Sequence, residues 1–119
     1  MEKAYKNLMA WQKADQLAYK IYLSTRSFPR EEMYGLTSQL RRAAISIPTN
    51  IVEGIGRQNR NEIKQFSNIA LGSLREVEYL LEFCFKLEYI SREIYEELEA
   101  IRTETGALLW KFHKSFSSN

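Results

Sequence analysis

The fold is decided by the stretch IKQFSNIALGSLREVEYLLEFCFKL, residues 63–87. Its apolar residues recur at alternating spacings of three and four over more than three heptads, which is typical of a long helix with one buried face. This stripe consists of Ile63, Phe66, Ala70, Ser73, Val77, Leu80, Cys84 and Leu87. Asn59 or Asn61 is expected to cap the helix, because an asparagine side chain can accept hydrogen bonds from the free N–H groups of a first turn.

Helical patterns also occur near both ends of the chain. An apolar stripe runs from Trp11 to Tyr22 and stops before Phe28-Pro29, since proline disfavours helix in the residue before it. Another helix is predicted to begin after Ser91, a good N-cap residue, and to continue through Phe112.

The second helical segment is predicted from near Tyr34 to the glycines of residues 54–56. Pro48 lies inside it, removes one backbone donor and crowds the carbonyl four residues earlier, so we expect a kink rather than a break. The Asn50 amide is expected to bond polar groups near this kink, and Thr49 to bond the carbonyl four residues before it.

Composition supports a small helical protein. The 119 residues contain only five Gly and two Pro, too few for the many turns of an all-β chain. Four helices with short connections predict one all-α domain over residues 1–119, an up-down-up-down four-helix bundle. The charged N-terminus, with no apolar run near ~18 residues, predicts neither a signal peptide nor a membrane span, and hence a cytoplasmic protein.

The sequence contains no residue pattern that indicates a catalytic or cofactor site. One Cys and one His exclude an intrachain disulfide, a multi-cysteine zinc site and a di-iron site with two Glu-x-x-His pairs. The glycines of residues 54–56 lack the third glycine of a dinucleotide fingerprint. We therefore expect no enzyme, cofactor or metal. Cys84, on the apolar stripe, is expected to be a buried inert thiol, and His113 a surface residue.

The apolar face of the second helix is unusually wide. It covers an arc of about 200°, whereas a helix in a monomeric bundle needs only a little over about 100°. Ile45 and Val52 are therefore predicted to face another subunit, and the Arg41 guanidinium, inside the same arc, to pair across that interface. The alternative is that a small bundle buries both flanks against its own neighbouring helices.

The net charge of +2 conceals a predicted difference in charge between the two ends of the bundle. The end holding both termini carries seven basic against three acidic residues, a difference of +4, and the opposite end four against seven, or −3. The first group is Lys3, Lys6, Arg57, Arg60, Lys64, Lys111 and Lys114 against Glu2, Glu53 and Glu62. Chance among the 32 charged residues is the alternative explanation.

The second helix carries a recognisable pattern. Its runs YGLTSQLRRAA (34–44) and SIPTNIVEG (46–54) closely resemble the signature of the 23S rRNA intervening-sequence protein family. WQKA (11–14), Phe28-Pro29, Gly56-Arg57 and IALGS (69–73) match as well, so the resemblance covers nearly the whole chain. Val52 stands where a small alanine is commoner in the family.

The resemblance implies a left-handed four-helix bundle that assembles as a homopentameric ring, with no enzymatic activity. Some members are encoded inside insertions in ribosomal RNA genes. The accessory protein of diversity-generating retroelements is similar and binds nucleic acid and a reverse transcriptase.

Two functions follow as hypotheses. The first is a cyclic oligomer, with five subunits, that binds RNA or DNA through its basic end. Its contacts are predicted at Arg57, Arg60 and Lys64, supported by Lys111 and Lys114. The second is a scaffold that docks a partner enzyme without touching nucleic acid. Salt dependence distinguishes them, because phosphate contacts release counterions and a hydrophobic docking surface does not.

Overall fold

A computed structural model, which describes residues 3–117, contains four helices that pack as one bundle. They are α1 (Met9–Ser24), α2 (Leu36–Ile55), α3 (Arg60–Lys86) and α4 (Arg92–Lys114). α1 packs against α2 and α4, and α3 packs against the same two helices. The bundle measures 45 × 27 × 22 Å. The predicted all-α four-helix bundle is confirmed, and its left-handed sense stays a prediction.

Neighbouring helices run in opposite directions. The ion pairs between α1 and α4 show this directly: Lys13 Nζ lies 3.2 Å from Glu104 Oε1, and Lys20 Nζ lies 2.7 Å from Glu97 Oε2. As the residue number rises along α1, the partner's number falls along α4. The short connections at residues 56–59 and 87–91 impose the same reversal on the other pairs.

The core is built from the stripes of all four helices. On α3, Ala70, Val77, Leu80 and Cys84 are buried as predicted. Leu87, the last member of the predicted stripe, is 41% exposed because it lies just beyond the end of α3. None of the helices within residues 3–117 is long and apolar enough to cross a membrane.

α2 begins two residues later than the sequence predicted. Tyr34 lies outside the helix and is 93% exposed, and the first helical residue is Leu36. Glu32 sets this start, because its Oε1 accepts the Leu36 N–H at 3.1 Å. Gly35 precedes the helix, and a Cβ there would lie only 2.7 Å from that same Glu32 oxygen.

α2 continues without a break across Pro48, as predicted. Thr49 Oγ1 donates to the Ile45 carbonyl at 2.7 Å, and Asn50 Nδ2 donates to the Ser46 carbonyl at 2.8 Å. Both predicted hydrogen bonds are therefore confirmed. They supply side-chain donors to the two carbonyls that directly follow the Ala44 carbonyl, which receives no helical N–H from Pro48.

Side-chain caps begin the last two helices. Asn59 rather than Asn61 caps α3, since Asn59 Oδ1 accepts the N–H groups of Asn61 at 2.8 Å and Glu62 at 3.3 Å. Ser91 Oγ accepts the Ile94 N–H at 3.1 Å and caps α4, as predicted. These caps fix where the connections end, and so which side chains share the ends of the bundle.

Candidate nucleic-acid interface

Five predicted contact residues lie at one end of the bundle. The start of α3 meets the end of α4 there, where Arg60 Nη2 donates to the Ser115 carbonyl at 3.0 Å. We define the basic end as Arg57, Arg60, Lys64, Lys111 and Lys114. Lys3 and Lys6 are exposed in and beside the turn that precedes α1. Glu2, which the charge count included, lies outside the described residues.

The two arginines of the basic end are held over aromatic rings. The Arg57 guanidinium lies 4.9 Å from the Phe66 ring centroid, and its Nη2 is 3.3 Å from Glu53 Oε1. The Arg60 guanidinium lies 5.7 Å from the Phe116 ring centroid. Both residues are nevertheless exposed. A guanidinium supported on a ring keeps free N–H groups in its plane, and these can bind a phosphate oxygen.

The three lysines of the basic end make no ion pair within residues 3–117. Lys111 and Lys114 are exposed in the last turn of α4. Their positive charges also interact favourably with the negative end of the helix dipole. Lys64 is partly buried, and its charge reaches the imidazole of His113. Their ammonium groups are therefore available to an anion.

His113 is buried, so its expected surface position is wrong. Its Nδ1 lies 2.6 Å from Ser67 Oγ across the α3–α4 contact. Burial, and then the charge of Lys64, lower the pKa of His113 below its ordinary value. The sequence signal was present, because Thr105, Leu109 and His113 follow one another at intervals of four and are all buried.

A shallow pocket lies beside this histidine. It has a volume of about 300 Å³, and its lining residues are Asn61, Lys64, Gln65, Asn68 and His113. We call this the α3–α4 pocket. Trp110, one turn before His113, is 53% exposed, and the two ring centroids lie 5.7 Å apart with their planes inclined by 27°. Lys64 belongs both to this pocket and to the basic end.

The predicted subunit-contact residues lie around a different surface, between α1 and α2. Ile45 is 43% exposed and lines a groove of about 370 Å³ with Tyr19, Tyr22 and Leu23, which are exposed as well. We call these four residues the apolar patch. Val52 is partly buried two turns further along α2.

Arg41 makes its contacts within its own chain. Its Nε donates to Thr25 Oγ1 at 2.7 Å, its Nη2 donates to the Tyr22 carbonyl at 3.3 Å, and its guanidinium lies 4.9 Å from the Tyr22 ring centroid. These bonds form because the end of α1 presents oxygen acceptors directly opposite Arg41. Its place in a subunit interface stays a prediction.

Cys84 is fully buried, as predicted. Burial, with a smaller contribution from the charge of Glu32, raises the pKa of Cys84 to about 11. Since the thiolate is the reactive form, this environment opposes nucleophilic chemistry. No three His, Cys, Asp or Glu side chains within residues 3–117 are grouped so that they could hold a metal ion.

Comparisons with known proteins agree with this fold. No curated protein matches the chain. A crystal structure of a protein of unknown function from the S23 ribosomal protein family of Bacteroides thetaiotaomicron is similar, with a TM-score of 0.80 and 32% sequence identity. The alignment covers 88% of this chain and 95% of that one. Residues 6–111 match the family model of the 23S rRNA-intervening sequence protein. The chain therefore belongs to the 23S rRNA-intervening sequence protein family.

Proposed function

We propose that this protein is a cyclic homo-oligomer of five subunits that binds RNA through its basic end and catalyses no reaction. The observation that carries the proposal is the convergence of five lysines and arginines where α2 ends, α3 begins and α4 ends. In a cyclic ring all bundles point the same way, so five copies would gather about +20 on one rim. The acidic ends would collect on the other rim.

Such a rim would bind the phosphate backbone. Phosphate contacts carry no sequence information, and each one releases counterions, so the affinity should fall steeply with added salt. The family's description refers to an intervening sequence of 23S rRNA, and we take RNA as the ligand to test first. We place the protein in the cytoplasm, where such a ligand would be found.

The test is a charge reversal at the basic end. We expect Arg57→Glu with Arg60→Glu to abolish binding of a fluorescein-labelled 20-nucleotide RNA in 50 mM KCl, as measured by fluorescence anisotropy. The oligomer mass should be unchanged. Wild-type affinity should fall at least about tenfold between 50 and 200 mM KCl, because several phosphate contacts are lost together.

The matched control makes the same charge change at the opposite end. Arg30 and Lys86 are exposed and have no side-chain hydrogen bond or ion pair within residues 3–117. Arg30→Glu with Lys86→Glu should therefore bind RNA as the wild type does. If the Arg57/Arg60 variant binds as tightly as the wild type, the basic end is not the site.

The apolar patch favours a second function, in which it docks a partner protein instead of a second copy of this chain and no RNA is bound. Tyr19 and Tyr22 offer exposed aromatic surface of the kind enriched at protein interfaces. This function replaces the first if the wild-type protein binds no RNA even in 50 mM KCl. It predicts partner binding that is insensitive to salt and is lost on Tyr19→Glu.

A further inference from the structure

The two contacts of Ser67 Oγ provide the basis for assigning the tautomer of His113. Ser67 Oγ donates its only proton to the Lys64 carbonyl at 2.9 Å, and Oγ also lies 2.6 Å from His113 Nδ1. Because the Lys64 carbonyl can only accept the Ser67 proton, we assign the proton of the second contact to Nδ1, which donates it to Ser67 Oγ. The other ring nitrogen, Nε2, is then an acceptor, and it has no hydrogen-bond partner among residues 3–117.

The surroundings of this acceptor suit a flat polar ligand. His113 lines the α3–α4 pocket together with the side-chain amides of Asn61, Gln65 and Asn68, each of which can donate and accept. The pocket volume of about 300 Å³ is at the lower end for small-molecule sites. The exposed indole of Trp110 lies beside it, and an unpaired base can stack on an indole.

We infer that the α3–α4 pocket holds one unpaired RNA base that carries a ring N–H, uracil or guanine, while the basic end holds the flanking phosphates. The ring N–H of uracil or guanine would donate to His113 Nε2. Cytosine and adenine present a lone pair at the corresponding ring position and would face Nε2 with no proton between them. This inference rests on the proposed RNA binding and adds a base preference to it.

One feature connects the pocket to RNA rather than to a free metabolite. Lys64 is shared with the basic end, so a phosphate bound there would bring its neighbouring base to the pocket. The protonation state of His113 suits a base with a ring N–H, because the lowered pKa keeps the imidazole neutral at pH 7.5 and leaves Nε2 as an acceptor.

The experiment compares two RNAs of equal length and charge. Fluorescein-labelled rU10 and rC10 are titrated with the wild-type protein at pH 7.5 in 50 mM KCl. We expect rU10 to bind about 5–10 times more tightly, the effect of one buried hydrogen bond. His113→Phe keeps an aromatic ring without the acceptor and should bring the two affinities together. Trp110→Ala should weaken both.

A second measurement does not depend on the variants folding. His113 is the only histidine of the chain, so untagged protein labelled with ¹⁵N-histidine gives a single imidazole pair in an NMR spectrum. We expect rU10 to shift the Nε2 resonance and rC10 to leave it in place.

The outcomes separate this inference from the proposed function. Equal binding of rU10 and rC10 by the wild type overturns the base pocket and leaves backbone binding intact. A uridine preference that survives His113→Phe, or an Nε2 resonance that rU10 does not move, overturns it too. If neither RNA binds at 50 mM KCl, the proposed function fails and the base pocket fails with it.

Discussion

The buried pair of His113 and Ser67 makes the bundle sensitive to acid. The pKa of His113 is lowered in the folded protein, whereas in the unfolded chain it returns to about 6.5. Well above pH 6.5 both states hold a neutral imidazole, so this residue contributes no pH dependence there. As the pH falls through 6.5, the unfolded chain takes up the proton first, and the free energy of unfolding decreases until the pH passes the lowered pKa.

We therefore expect the wild-type protein to lose stability relative to His113→Phe as the pH falls below 6.5. Urea denaturation of both proteins at steps from pH 8 to pH 5 measures this difference. The carboxylates titrate in both proteins, so only the gap between the two curves reports on His113. Parallel curves across this range would show that the imidazole titrates as it does in the unfolded chain.

At the scale of the helices, the approach of α2 to α3 depends on Gly54. A Cβ at Gly54 would lie 3.2 Å from Phe66 Cβ and 3.6 Å from the Ile63 carbonyl oxygen, so α2 would have to move away. We expect Gly54→Ala to destabilise the protein by about 1–3 kcal/mol. Chemical denaturation measures this change directly.

Gly72 of α3 is the matched control. A Cβ there meets no atom within 4 Å among the described residues, so Gly72→Ala adds only helix propensity. This substitution should stabilise the protein by about 1 kcal/mol. The two glycine-to-alanine substitutions are thus expected to change the stability of the protein in opposite directions. A stabilising Gly54→Ala would contradict the close approach of α2 to α3 at Gly54.

At the scale of the whole molecule, the apolar patch is the surface expected to join subunits. Light scattering should give the wild type a mass several times 14.0 kDa, five times for the proposed ring. Ile45→Glu should lower that mass, because it would bury an unpaired charge between subunits. Ile69→Glu, at a residue 50% exposed on α3, is the control and should leave the mass unchanged.

A wild-type monomer at high protein concentration would contradict the ring. It would also remove the gathering of about +20 on one rim, since that charge depends on five copies. Backbone binding by a single basic end would then be expected to be much weaker than binding by a ring, because fewer phosphate contacts act together.

The fold was largely predictable, because three- and four-residue periodicity reports which side of a helix is buried. Asn50 and Ser91 were also predictable, since their hydrogen bonds join near neighbours in sequence. The hydrogen-bond partners of Arg41 and His113 were not, because Thr25 follows the end of α1 and Ser67 belongs to α3, so both contacts join different elements. Contacts of that kind depend on the relative rotation of two helices, which a single stripe does not define.

The ion pairs between α1 and α4 join the first and the last of the four helices. Lys20 and Glu97 are separated by 77 residues, so their contact closes a far larger loop than any helix connection does. During synthesis, α1, α2 and α3 emerge before their last neighbour exists. The apolar stripe of α1 that faces α4 therefore stays open to water, and to other nascent chains, until the C-terminal helix arrives. Of these four helices, α1 thus waits longest during translation for its last neighbour.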